Sequence, residues 1–228
     1  MKRDGRKIVG VVVYDYQLAQ IVDRAGVDIV SVGDSVGVNM WGQGSEGEVT
    51  VDQMLLACKA VRRGVTRAIV SCDIPSSSPD LVSAARRLAG EGGADMVKVE
   101  ASAESIRSMV KAGVAVWAQL SNADASVDDL VREATRLQSA GASLIDFRHS
   151  GPIAGPAVAA AVSIPVMGGL GGGPWLDGRV RAIANAIGYT AAALDDQTDR
   201  YANVARVALE AIGSYADDVR AGRQIRGK

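Results

Sequence analysis

The chain predicts a (β/α)8 barrel. Short apolar runs rich in Val and Ile alternate with helical patterns from one end to the other. An Ala-Gly or Gly-Ala step recurs at Ala25-Gly26-Val27, Gly93-Ala94, Ala112-Gly113-Val114 and Ala140-Gly141-Ala142, each time closing a helix and leading into a strand. Several runs finish on charged residues. Short β-rich runs bounded by Gly or Pro are strands buried on both faces, as parallel strands under helices are. Eight units in 228 residues leave about 28 residues each, compact but sufficient for this barrel. A doubly wound open sheet is the architectural rival.

The first strand is predicted over residues 7–13, followed by an amphipathic helix over 16–25 that Gly26 stops. The second pair is a strand over 27–32 and a helix over 51–63, with Thr50 as cap and Gly64 as stop. Strands over 67–72 and 95–100 are followed by helices over 79–90 and 103–112. The fifth pair is 114–120 and 127–140, the helix opened by Ser126 with acids in its first turn. The sixth pair is 143–147 and 153–162, and the seventh 164–167 and 176–186. A short strand over 187–194 and a closing helix over 200–219 complete the pattern. No low-complexity linker divides the chain, so one domain over residues 1–228 is expected.

Composition narrows the function classes. With 26 acidic and 25 basic side chains the net charge is −1, which provides no basic face for nucleic acid. No apolar run approaches the roughly 18 residues of a membrane span. The basic start, residues 1–7, precedes an apolar stretch over 8–13 that is too short for a signal peptide. Cys58 and Cys72 are the only cysteines and fall in a helix and a strand, so packed thiols in a reduced, cytoplasmic protein are expected.

The strand ends carry the chemistry. The second run ends on Asp34-Ser35, the third on Asp73, and the fourth contains Lys98 and Glu100. In an α/β barrel such positions face the mouth where ligands bind. Three carboxylates and one ammonium at one mouth point to a divalent metal beside an anionic substrate, and so to an enzyme. Bland readings exist for the same residues. Asp34 could cap the next helix, and Lys98 with Glu100, on one face of a strand, could form a surface ion pair.

Tyr14-Asp15-Tyr16, Val32-Gly33-Asp34-Ser35-Val36-Gly37, Lys59-Ala60-Val61-Arg62-Arg63-Gly64, Asp73-Ile74-Pro75 and Val97-Lys98-Val99-Glu100 resemble, in order and spacing, the ketopantoate hydroxymethyltransferase family. Ile164-Pro165-Val166-Met167-Gly168 and Asp177-Gly178 resemble its seventh strand and the turn after it. The resemblance implies a (β/α)8 barrel of the phosphoenolpyruvate/pyruvate superfamily, assembled as a homo-oligomer. It implies Mg2+ on Asp34 and Asp73, with Glu100 supporting the metal shell through water. It also implies Ser35 and Lys98 on the carboxylate of a 2-oxo acid, and methylenetetrahydrofolate as one-carbon co-substrate. Mg2+ takes a few carboxylates plus substrate oxygens and waters, and Lys98 adds a point charge for a carboxylate.

Two departures bear on the reaction. Where the family has a histidine on its fifth strand, Val116-Trp117-Ala118-Gln119-Leu120 offers Gln119 as a substrate contact. Where the family has a glutamate base at the end of its sixth strand, Arg148 stands, and a guanidinium cannot accept a proton. A long segment after the fifth strand is missing as well. Asp146 and Arg148 share one strand face. The only histidine, His149, follows them, so Asp146, Arg148 and His149 are the candidate catalytic residues. Arg148 could equally clamp a second carboxylate or phosphate. The glycine run 168–173 after strand seven is a weak candidate anion site. Trp41 and Trp175 fall in mouth loops where they could cover a ligand. In place of the family's hydrophobic flap, residues 45–48 offer Glu46 and Glu48. Aldol-type C–C chemistry on a 2-oxo acid is the leading expectation, with slow ketopantoate formation. Lyase, mutase or hydrolase chemistry of the superfamily, or a silent oxo-acid-binding paralogue, are the rivals.

Overall fold

The computed structural model describes residues 2–121, 125–169 and 173–227. They form two compact units, Met1–Arg181 and Ala182–Lys228.

The first unit carries a closed barrel of eight parallel strands in sequence order. These are β1 (Ile8–Val12), β2 (Ile29–Val32), β3 (Ile69–Asp73), β4 (Met96–Val99), β5 (Val116–Gln119), β6 (Leu144–Asp146), β7 (Val166–Gly168) and β8 (Gly178–Ala182). The expected fold class is the observed one. Helices α1 (Tyr16–Arg24), α2 (Val36–Trp41), α3 (Val51–Gly64), α4 (Leu81–Gly90), α5 (Ala103–Lys111), α6 (Val127–Ser139) and α7 (Ala154–Ala161) fill the connections. Their starts are written in the sequence: Asp15, Thr50, Asp80, Ser102 and Ser126 each accept a backbone N–H of the first turn, satisfying donors the helix leaves open.

Inside the barrel Ile29, Met96, Trp117, Leu144 and Met167 pack together with Val180. Trp117 is fully buried, so this floor of side chains is a packed core rather than a pore. Both cysteines are buried, as expected.

The last pair of elements corrects the sequence reading. The helix expected over 176–186 contains β8, and the strand expected over 187–194 contains a 3-10 turn, Ala191–Leu194. Alternation decides it: Gly178 and Val180 are buried while Arg179 is exposed, the period of a strand. No helix separates β7 from β8 among the described residues, and the connection is the segment 169–177. Closure at β1 requires a glycine, because a Cβ on Gly178 would lie 2.3 Å from the Ile8 carbonyl oxygen. The Ile8 N–H donates to the Asp177 carbonyl at 2.9 Å along the same seam.

The second unit holds α8 (Ile183–Ile187) and α9 (Val204–Arg220). Asn203 caps α9 by accepting from Arg206 N–H and donates to Ala193 O at 2.8 Å. No helix among the described residues is long and apolar enough to cross a membrane.

Candidate active site

Strand register sets the site. Asp73 closes β3 and stands beside Lys98 of β4, which stands beside Trp117 of β5. Gln119 of β5 stands beside Asp146 of β6. Neighbouring positions on parallel strands point to the same side, so these groups share the mouth of the barrel. There a cavity of about 660 Å³ is lined by Asp34, Asp73, Lys98, Glu100, Gln119 and Arg148, with Glu46 at its edge.

Charge alternates through the site. The Lys98 ammonium lies 3.5 Å from Asp73 Oδ2 and 3.3 Å from Asp146 Oδ2, and Arg148 Nε donates to the same Asp146 oxygen at 3.3 Å. Lys98 also sits 5.6 Å from the centre of the Trp117 ring, a favourable cation–π placement. Lys98 is therefore a buried ion-pair partner of two aspartates, not a surface partner of Glu100. Glu100 instead accepts from Gln119 Nε2 at 3.3 Å, and that amide also donates to Ser121 Oγ at 2.9 Å. Asp34 is not a helix cap, since no side chain caps α2.

The acids are held under strain of charge. Burial pushes the Asp73 carboxyl up to about 6, Lys98 pulls against that, and Asp34 adds to it. Asp34 is raised as well, by burial and then by the charge of Glu46, against the pull of Lys98 and Arg148. Burial pulls Lys98 down, but Asp73 and Asp146 outweigh it and the ammonium ends above its ordinary value. Among the described residues Asp73 Oδ1 is buried without a hydrogen-bond partner, as is Oδ1 of the more deeply buried Asp146. A buried anionic oxygen left without a donor costs free energy, and a cation placed between Asp34 and Asp73 relieves both that cost and their repulsion. The donor set, hard carboxylate oxygens, fits Mg2+. Among the described residues no three His, Cys, Asp or Glu side chains converge to hold a metal by themselves.

Ser35 is positioned from behind. Its hydroxyl lies 3.0 Å from Tyr14 Oη, and Asn39 Nδ2 donates to that phenol at 3.2 Å. A Cβ on Gly33 would meet Ser35 Oγ at 3.0 Å, Val12 Cγ1 at 2.9 Å and Asp73 Oδ2 at 3.8 Å. The glycine thus leaves room for the Val12 side chain and the Ser35 hydroxyl, and Ser35 itself does not line the carboxylate cavity. Tyr14 and Asn39 had no assigned role in the sequence, although Tyr14 opens the first quoted motif.

Other expected residues lie elsewhere. Asp146 has no exposed surface and does not line the cavity, where its ion-pair partners Lys98 and Arg148 do. His149 is exposed at φ 50° and lines a separate hollow of about 530 Å³ with Phe147 and Ser150, where only Arg148 is shared with the carboxylate cavity. Trp175 is packed on Gly155 and donates to Ser150 Oγ at 3.1 Å. Neither Trp41 nor Trp175 lines the carboxylate cavity. In the glycine run, Leu170, Gly171 and Gly172 lie outside the described residues.

Known proteins place the chain. A family signature described as ketopantoate hydroxymethyltransferase matches residues 1–123 and 121–224. The chain is 33% identical to a 3-methyl-2-oxobutanoate hydroxymethyltransferase of Geobacillus kaustophilus over 96% of its own length and 87% of the relative's. Its fold is similar to 2,3-dimethylmalate lyase, of the PEP mutase/isocitrate lyase superfamily, with a TM-score of 0.69 at 14% identity, covering 96% of this chain and 84% of the other. It is also similar to phosphonopyruvate hydrolase in complex with oxalate and Mg2+, with a TM-score of 0.65 at 15% identity, covering 97% and 85%. Matched over residues 1–224 by the signature, and over 96% of its length by a relative 33% identical, the chain belongs to the ketopantoate hydroxymethyltransferase family.

Proposed function

We propose that the protein is a Mg2+-dependent enzyme that acts on a 2-oxo acid through an enolate, making or breaking a C–C bond in an aldol-type reaction. The observation that carries this reading is the buried Asp73 Oδ1 without a partner, in one cavity with Asp34 and Lys98. Relatives named 3-methyl-2-oxobutanoate hydroxymethyltransferase support the substrate class. The phosphonopyruvate hydrolase neighbour, holding oxalate and Mg2+, supports the pairing of metal and small acid on this fold.

Asp34 and Asp73 would hold the ion, with Glu100 near its water shell. Bound there, Mg2+ supplies a Lewis acid for the oxo group, favouring charge on oxygen once a C3 proton leaves. The Lys98 ammonium, fixed between Asp73 and Asp146, binds the substrate carboxylate as a point charge that its partners keep protonated. Ser35, aligned by Tyr14 and Asn39, donates to the same carboxylate. Gln119 presents its amide where the family has histidine, a neutral contact that cannot titrate. Arg148 is tied to Asp146 by Nε alone, which leaves its terminal nitrogens for negative charge on the substrate.

The test is exchange of C3 protons of 2-oxo acids into D2O, followed by NMR with and without Mg2+. Exchange that needs both protein and metal is expected, and adding methylenetetrahydrofolate to 3-methyl-2-oxobutanoate should give ketopantoate only slowly. Exchange of no 2-oxo acid under any metal condition would overturn the reading.

A further inference from the structure

We propose that Glu46 is the proton acceptor at C3 of the 2-oxo acid, the role that no carboxylate on the sixth strand can fill in this chain. The inference rests on the enolate reading above.

The cavity offers four carboxylates, Asp34, Glu46, Asp73 and Glu100. Asp34 and Asp73 are the carboxylates that would hold the ion, and a carboxylate neutralising a dication is a poor base. Glu100 is engaged by the Gln119 amide at 3.3 Å. Glu46 is the one of the four that neither would hold the ion nor, among the described residues, makes a hydrogen bond or ion pair through its carboxylate. Asp146 is excluded by position, being fully buried with two cations on Oδ2. His149 lines the separate hollow.

Glu46 is also placed to work repeatedly. It opens a 3-10 turn, Glu46–Glu48, in the loop between α2 and α3. The Ser45 N–H donates to Glu48 Oε1 at 3.0 Å, and Val49, directly after the turn, is fully buried, so the turn is anchored at both ends. The Glu46 carboxylate is thereby held over the mouth while staying exposed to water. It lines the same cavity as Asp34, Lys98 and Arg148, the groups that would hold the ligand.

The step balances within substrate and side chain. The C3–H bond breaks and its proton passes to a Glu46 carboxylate oxygen. The bonding pair becomes the C2–C3 π bond, and the former C2=O π pair moves onto oxygen. In D2O the exposed carboxylic acid exchanges its proton with solvent and returns deuterium to C3. The reverse electron shift restores the 2-oxo acid.

Glu46→Gln in the full-length protein tests this by two readouts, Mg2+-dependent C3 exchange and calorimetric affinity for a 2-oxo acid with Mg2+. Exchange should fall by about 10²–10⁴-fold, the ordinary cost of removing a general base, with affinity unchanged within a few fold. Glu46→Asp should recover part of the rate, and Glu48→Gln, whose residue is turned to Ser45, should leave exchange as in the wild type. A wild type that exchanges and a Glu46→Gln variant within a few fold of it would overturn the role of Glu46 and leave the enolate reading standing. Equal losses of affinity and rate would reduce Glu46 to a binding group and overturn it too. A wild type that exchanges nothing would overturn both.

Discussion

Asp73 concentrates the physics of the site in one side chain. Folding moves its carboxyl from an ordinary value of 3.8 to about 6, a penalty on the charged form of about 3 kcal/mol. The folded state therefore binds this proton more tightly than the unfolded chain does. The stability that proton contributes is complete below 3.8 and is lost as pH rises through about 6. With chelator present, wild type should lose stability across that window relative to Asp73→Asn, which has no charge to bury. Urea denaturation at several pH values reads the difference, and parallel curves for the two proteins would contradict it. Conversely, Mg2+ with an oxo acid should raise the melting temperature of wild type but not of the variant. Asp34, Asp73 and Lys98 were legible in the sequence because a strand end fixes where a side chain points. Glu46 was visible only as an acid replacing an apolar flap. It reaches the cavity through a 3-10 turn whose path has no periodicity to read.

Among the elements, six of the barrel's strand–helix units and the seventh strand follow from apolar runs and caps, and the seventh helix and eighth strand do not. Residues 178–182 have two arginines on alternate positions, and the apolar content of the flanking stretch suggested a helix. Their neighbour decides the matter: β1 offers Ile8 as a ladder partner, a long-range contact that no local window contains. That assignment makes 169–177 the connection and puts a strand where the helix over 176–186 was expected. Gly178 marks the seam. Gly178→Ala would drive a methyl to 2.3 Å from the Ile8 carbonyl oxygen, and the strands must part to admit it. A loss of about 1–3 kcal/mol, typical of overpacking, is expected in denaturant melts. An unchanged midpoint would show that the seam yields freely.

For the molecule as a whole, the barrel brings residues from β3 through β6 and the loop after β2 to one mouth, where carboxylates outnumber cations. Whether the ion binds between Asp34 and Asp73 decides the account more directly than any rate. Crystals grown with Mn2+ and oxalate, measured at the manganese absorption edge, locate the ion by anomalous scattering. The account predicts one strong peak between the Asp34 and Asp73 carboxylates, with oxalate on its open side toward Lys98, and loss of that peak in Asp73→Asn. A peak elsewhere, or an ion that keeps its place when Asp73 is replaced, would contradict it.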